Sequence, residues 1–250
     1  MRILKKLDRF SIELSLHCPP GETVVLTGPS GSGKTTVLRS IAGFLRPESG
    51  WMRLGGRVLM DSDSGVFLPP QKRRVGLVTQ EYTLFPHMTV LENIEYAYAG
   101  GPEPMDLLES SGIAHLANKR PARISGGERQ RAALCRILAM CPEMLLLDEP
   151  FSALDIENRF RLQEMIDKAG RERNIPIVRV THDLSSVVRC PDTVLAITEG
   201  KENKTWLDRQ LRFLTAGAYG KTDDAAEDEI EKDDFLEEGY TERKRKRREL

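Results

Sequence analysis

Eight residues constrain this chain more than anything else in it: Gly28-Pro29-Ser30-Gly31-Ser32-Gly33-Lys34-Thr35. They fit the spacing GxxxxGK[ST]. They follow a short apolar run, Thr23 to Thr27, and open a helical pattern, Lys34 to Ile41. Strand, loop and helix in that order are what the motif needs. The glycines let the backbone curl until its N–H groups converge on phosphate oxygens, and the helix adds the positive end of its dipole. A turn that only joins a strand to a helix accounts for the glycines but not for Lys-Thr at a fixed offset. The segment from Gly28 to Thr36 is therefore expected to cradle a nucleotide triphosphate, with Lys34 on the β- and γ-phosphates and the Thr35 hydroxyl on Mg²⁺.

The rest of the chain reads as a fold that would carry such a loop. Further apolar runs at Val75 to Thr79, Met144 to Leu147, Pro176 to Val180 and Thr193 to Ile197 are mostly continuous rather than alternating, as in a parallel sheet covered on both faces. Helical patterns from Ser125 to Met140 and from Ile156 to Lys168 lie between them, so strand and helix alternate in an α/β layout. Residues 81–140 lack a comparable strand run and are rich in helix formers, which predicts a mainly helical insert. After Gly220 the composition shifts to an acidic stretch, Asp223 to Glu238, and then to a basic block, Arg243 to Arg248, both expected to stay solvated and disordered.

The run Met144-Leu145-Leu146-Leu147 ends in Asp148-Glu149, placing carboxylates at the carboxyl end of a buried strand, where ligands gather in open α/β sheets. Asp148 is the expected Mg²⁺ partner, largely through water. Alternation along the strand would point Glu149 away from Asp148, toward the attacking side of the γ-phosphate, as the base that orients or deprotonates water.

Composition narrows the partners. Lys and Arg number 37 against 38 Asp and Glu, so no global field recruits nucleic acid or an acidic membrane. Cys18, Cys135, Cys141 and Cys190 form no CxxC pair, and reduced thiols are expected. No apolar stretch approaches the ~20 residues of a membrane span.

At Ser125-Gly126-Gly127-Glu128-Arg129-Gln130 the chain resembles the signature of the ABC family, with Ile124 before it and Glu128 in place of the usual Gln. Gln80 resembles that family's Q-loop, Ser152-Ala153-Leu154-Asp155 its D-loop, and His182 its switch histidine. The elements run in the family's order from residue 28 to 183. The resemblance implies a P-loop NTPase, RecA-like core with a mainly parallel sheet, an antiparallel β part and an inserted helical subdomain. The core would be 1–80 and 141–220, the helical subdomain 81–140, and the charged tail 221–250.

It also implies ATP hydrolysis in a homodimer that sandwiches two MgATP. Ser125, Gly126 and Gly127 of one copy would then face the phosphate loop of the other, as a serine-capped helix start with close-approach glycines could. Gln80 would sense Mg²⁺ and the membrane partner, and His182 would hold the γ-phosphate and the attacking water. His17, His87 and His115 fall outside the series and are expected to be structural. The family's N-terminal aromatic, which stacks on adenine, has only Phe10 as a counterpart, and Phe10 alternates with Ile12, Leu14 and Leu16 as a core strand residue would.

Pro69 to Gly76, Leu84-Phe85-Pro86-His87-Met88-Thr89-Val90 and Glu92-Asn93-Ile94 resemble importers of small solutes and oxyanions, and Gly56-Arg57-Val58-Leu59 the molybdate or tungstate group within them. Sugar, polyamine, sulfate and ferric-iron importers share several of these features, and a soluble ABC ATPase outside transport is a further alternative. An importer ATPase implies two integral-membrane permease subunits, indirectly an extracytoplasmic solute-binding protein, and a peripheral place on the cytoplasmic face of the membrane. Tyr82, Leu84, Phe85 and Met88 lie where the family docks a short helix of each permease, and a mixture of docking and internal packing is expected of them, with Tyr82 and Phe85 as the exposed anchors. Too few residues follow His182 for the regulatory domain of many such importers, so inhibition by solute is expected to reside in a partner.

Overall fold

The computed structural model describes residues 1–79, 84–151, 154–183 and 192–218. Gln80, Tyr82, Ser152, Ala153, Cys190 and the charged tail lie outside them. The chain divides into two compact units, Met1–Leu207 and Asp208–Leu250. The sheet and every described site residue belong to the first.

The strands are β1 (Arg2–Lys6), β2 (Ser11–Ser15), β3 (Thr23–Thr27), β4 (Ser49–Leu54), β5 (Arg57–Asp61), β6 (Val66–Phe67), β7 (Val75–Val78), β8 (Met144–Asp148), β9 (Ile177–Val180), β10 (Thr193–Thr198) and β11 (Lys201–Glu202). They form one sheet in the order β6-β5-β4-β1-β2-β11-β10-β3-β9-β8-β7. The helices are α1 (Lys34–Ala42), α2 (Val90–Glu95), α3 (Pro104–Ser110), α4 (Gly126–Ala139), α5 (Ile156–Glu172) and α6 (Lys204–Ala218). No described helix is long and apolar enough to cross a membrane.

The half from β10 to β7 is parallel throughout, with Val24 of β3 between Thr193 and Val178 and Leu147 of β8 between Arg179 and Val78. Every residue of β3, β8 and β9 is buried, which explains why these runs carry no polar alternation. One face packs Leu145, Leu147 and Ile177 with Leu134, Ile137 and Leu138 of α4 and with Leu162 and Ile166 of α5. The other packs Leu26, Leu146, Val178 and Val180 with Val37 and Leu38 of α1 and with Ile12, Leu14 and Met52 of the antiparallel strands. The helices α2 to α4 thus share a core with the sheet, and no strand occurs among the described residues between β7 and β8.

The antiparallel half pairs β2 with β1, β1 with β4, β4 with β5 and β5 with β6. Its strands are short and half-exposed, so their apolar content gives little signal. Arg57, in the segment resembling oxyanion importers, ties this half to the parallel one. Its guanidinium donates to the carbonyls of Lys72 and Arg73 and pairs with Glu143, just ahead of β8, at 2.7 Å.

Arg73 anchors the far end of α1. Its side chain is fully buried, donates from Nη1 to the carbonyls of Ser40 and Ile41 at 2.9 and 2.7 Å, and donates from Nε to the Leu68 carbonyl at 2.7 Å. The guanidinium lies 4.7 Å from the Phe67 ring centre. A cation at a helix C-terminus meets the negative end of the dipole, and here it serves the Ile41 carbonyl and adds a second donor to the Ser40 carbonyl, which also accepts from the Gly43 N–H at 3.2 Å. Gly43 ends α1 at φ 89°, and a Cβ there would meet Arg73 Nε at 2.5 Å.

Candidate functional site

The sheet delivers the chemistry-bearing residues along one edge. The phosphate loop follows β3, Asp148 and Glu149 end β8, and His182 lies just past β9, the strand between them. A cleft of about 400 Å³ opens there, lined by Ser30, Gly31, Gly33, Lys34, Thr35, Thr36 and Glu149 together with Leu7, Asp8, Arg9, Phe10 and Val180.

The loop has the backbone its motif foretells. Gly28 stands at φ 140°, and a Cβ there would sit 2.1 Å from the Ile197 carbonyl oxygen. Gly33 stands at φ 102° as the N-cap of α1, and with no capping side chain it leaves the first helical N–H groups open to an anion. The Lys34 ammonium is folded over the loop, donating to the carbonyls of Gly28 and Pro29 at 2.8 and 2.7 Å. Burial lowers its pKa, and the nearby Glu149 and Asp148 carboxylates oppose that shift. A phosphate entering the cleft therefore meets a desolvated cation whose present hydrogen-bond partners are neutral, two carbonyls and the Ser32 hydroxyl.

Asp148 is 8% exposed and hydrogen-bonds the Thr35 side chain. Burial raises its carboxyl above the usual range; the Thr35 bond lowers it, Glu149 raises it, and Arg39 and Lys34 lower it. A hydroxyl and a carboxylate side by side are hard oxygen donors that suit Mg²⁺, which keeps several waters and takes its other ligands from phosphate. Among the described residues no cluster of three or more His, Cys, Asp or Glu forms a cage for a metal.

Glu149 reaches the cleft by a different route from the one its sequence suggests. The strand ends at Asp148, and Glu149 turns out of it in the left-handed region at φ 50°, so backbone turning rather than strand alternation aims its carboxylate. Its N–H donates to the Val180 carbonyl at 3.1 Å, and its Oε1 lies 2.9 Å from His182 Nδ1. Glu149 and His182 are thus in direct contact.

Ser125 caps α4 in a reciprocal box. Its Oγ accepts from the Glu128 N–H at 3.3 Å, and its own N–H donates to the Glu128 carboxylate at 2.7 Å. This gives the Glu at that position a local structural task and holds its carboxyl below the usual range. Ser125, Gly126 and Gly127 do not line the phosphate-loop cleft, so within one chain they stand apart from it. Asp155 caps α5 by accepting from the Asn158 N–H at 2.9 Å.

Phe10 serves two purposes. It lines the cleft beside Gly33 and also packs against the core of Ile12 and Leu14. Phe85 is half-buried, edge-on to Tyr96 at 5.0 Å and beneath the Arg136 guanidinium at 5.1 Å. Buried Asn93 holds its loop, accepting from the Phe85 N–H at 2.7 Å and donating to the Thr89 carbonyl at 2.8 Å. Among the described residues here, Tyr96 is strongly exposed, at 69%, and no sequence pattern singled it out.

A nucleotide-loop sheet with an antiparallel wing and a serine-capped helical insert defines a class of ATP-binding cassette. Residues 12–152 match the ABC transporter family, and the chain belongs to it. The molybdenum import ATP-binding protein ModC of Photobacterium profundum is 38% identical over 221 residues, covering 85% of this chain and 62% of the relative. That of Brucella abortus is 42% identical over 197 residues, covering 77% of this chain and 55% of the relative. The chain thus spans roughly half to three-fifths of the length of these relatives. A solved dimeric bacterial ABC transporter cassette superposes with a TM-score of 0.66 at 30% identity, covering 81% of this chain and 96% of that one. The same cassette, solved as a dimer in a post-hydrolysis state with ADP and phosphate bound, gives 0.67 at 29% identity and the same coverages.

Proposed function

We propose that this chain is the ATP-binding and ATP-hydrolysing subunit of an importer, and that its solute is molybdate, tungstate or a related oxyanion. The observation that carries the enzymatic part is that Lys34, Thr35 and Glu149 line one cleft, with Asp148 hydrogen-bonded to Thr35 and His182 in contact with Glu149. The solute assignment rests on the similarity to molybdenum importers, whose own names supply it.

In this reading the phosphate loop and Lys34 bind the triphosphate, Phe10 packs beside the base, and Thr35 and Asp148 hold Mg²⁺. When bound, that ion offsets charge developing on the phosphate oxygens. Glu149 accepts the proton of the attacking water, and His182, within hydrogen-bonding reach of Glu149, orients it and the γ-phosphate. Ser125, Gly126 and Gly127 stand apart from the cleft of their own chain, which supports their use on a second copy's nucleotide, in a homodimer closed around two ATP. Gln80 couples the site to the permease. Two permease subunits would hold the dimer at the cytoplasmic face of the membrane, with selectivity supplied by them and by a solute-binding protein.

The test is a transporter reconstituted with its own permease and binding protein. Molybdate or tungstate should stimulate phosphate release above the basal rate, and sulfate, sugars and polyamines should do much less. A sugar or polyamine as best stimulant would overturn the solute while leaving the ATPase reading intact.

A further inference from the structure

Gln130 is buried where a side chain of its chemistry needs a reason. It lies on α4 one turn past the signature glycines and is 1% exposed. Its Nε2 donates to the carbonyl of Pro150, while its Oε1 has no hydrogen-bond partner among the described residues. A buried amide with only one end satisfied is a poor device for stability. A methionine would fill similar volume without desolvating an acceptor.

What Gln130 holds is the residue immediately after Glu149. Glu149 sits in the left-handed region, where residues with a side chain are strained, and it precedes a proline, which restricts it further. Such a conformation persists only when its surroundings over-determine it, and it concentrates at functional sites. Here the chain is pinned on both sides of the strained residue. The Glu149 N–H is fixed to Val180 on β9, and the Pro150 carbonyl is fixed to Gln130 on α4. The next residue, Phe151, is 6% exposed and packs in the core that α4 shares with β8.

We propose that Gln130 is a positioning residue for hydrolysis: it holds the Glu149 carboxylate in its working orientation and makes that orientation depend on where α4 stands. The helix that presents Ser125 and the two glycines is then wired, within one chain, to the base of that chain's own site. This rests on the ATPase reading above and adds to it a route by which movement of α4 reaches the reacting water.

The test compares full-length wild type, Gln130→Met and Gln130→Glu in MgATP turnover, with ATP affinity and melting temperature measured alongside. Gln130→Met should lose roughly 10- to 100-fold in kcat, the scale expected for misplacing a catalytic group by about an ångström. Its KM for ATP should stay within about two-fold of wild type, since the phosphate loop is untouched. Gln130→Glu, whose buried carboxyl favours the protonated, donating form, should restore much of kcat at pH about 6 and lose it as pH rises, relative to wild type at each pH. In a Glu149→Gln background, Gln130→Met should leave ATP-driven dimerisation unchanged, because no base remains to position. Wild-type kcat in Gln130→Met, or a rise in KM with kcat preserved, would overturn the inference. So would equal losses in Met and Glu variants at every pH, or a fall in melting temperature large enough to account for the lost turnover. An inactive wild type would instead sink the ATPase reading itself.

Discussion

Replacing Arg73 by Met tests whether a buried cation fixes the helix that begins at the phosphate loop. Two effects oppose each other. Burial pushes the guanidinium down to about 10 from an ordinary 12.5, a desolvation cost of about 3 kcal/mol at 1.36 kcal/mol per pH unit. Against it stand three hydrogen bonds from a charged donor, to Ser40, Ile41 and Leu68, worth roughly 1.5–3 kcal/mol each. The bonds win by about 3 kcal/mol, and Arg73→Met should lose about that amount because the buried Ser40 and Ile41 carbonyls and the part-buried Leu68 carbonyl lose a charged donor. For a unit of this size each kcal/mol moves the midpoint by about 2–4 °C, so thermal unfolding should shift down by about 6–12 °C. Arg73→Lys keeps the charge but not the fork and should fall between the two. If Arg73→Met melts within about 2 °C of wild type, the carbonyls at the end of α1 have other partners and the anchoring role is wrong.

Glu149→Gln should bind MgATP with near wild-type affinity but hydrolyse it at least ~10²-fold more slowly, and it should run as an ATP-dependent dimer in size exclusion. Lys34→Ala should lose nucleotide binding or turnover by a comparable factor, seen by nucleotide titration and phosphate release, because one preorganised cation in a desolvated cleft is removed. Asp148→Asn should abolish Mg²⁺-dependent turnover yet melt higher than wild type at neutral pH without nucleotide. Burial raises the Asp148 carboxyl, so the folded chain binds its proton more tightly than the unfolded chain, and stability falls as pH rises from the unfolded range through the raised one. The gap between mutant and wild type should therefore widen in calorimetry as pH rises above the ordinary carboxylate range.

The parallel core was legible because its central strands β3, β8 and β9 are buried throughout, which leaves short, unbroken apolar runs bounded by turns. The phosphate loop was legible because its spacing is local. What escaped were polar groups whose reason lies far away in the chain. Arg73 serves carbonyls 32 and 33 residues distant, and Gln130 a carbonyl 20 residues on, and no periodicity marks such partners. The antiparallel strands β4, β5, β6 and β11 escaped because they are short and half-exposed, so alternation has too few residues to show. Phe85 was expected as an exposed anchor, yet its ring is packed by Tyr96 and Arg136, and Tyr96 carries the exposure instead.

Glu149 shows where period-two reasoning stops. The expected residue faces the cleft, but the cause is a left-handed turn ahead of Pro150, not strand alternation. The strand order then explains why such a turn is useful. The phosphate loop leaves β3 and the carboxylates leave β8, with β9 between them, so two strand spacings of about 4.8 Å separate the two sources by ~10 Å. That spacing leaves room for the cleft that the loop residues and Glu149 line together. Asp148, still within the strand, stays close enough to Thr35 to share a hydrogen bond, while Glu149, swung out beyond the strand end, meets His182 from the intervening strand. One backbone reversal between adjacent acids thus gives them different surroundings, one beside the loop hydroxyl and the other beside an imidazole, from which metal holding and proton acceptance can be divided between them.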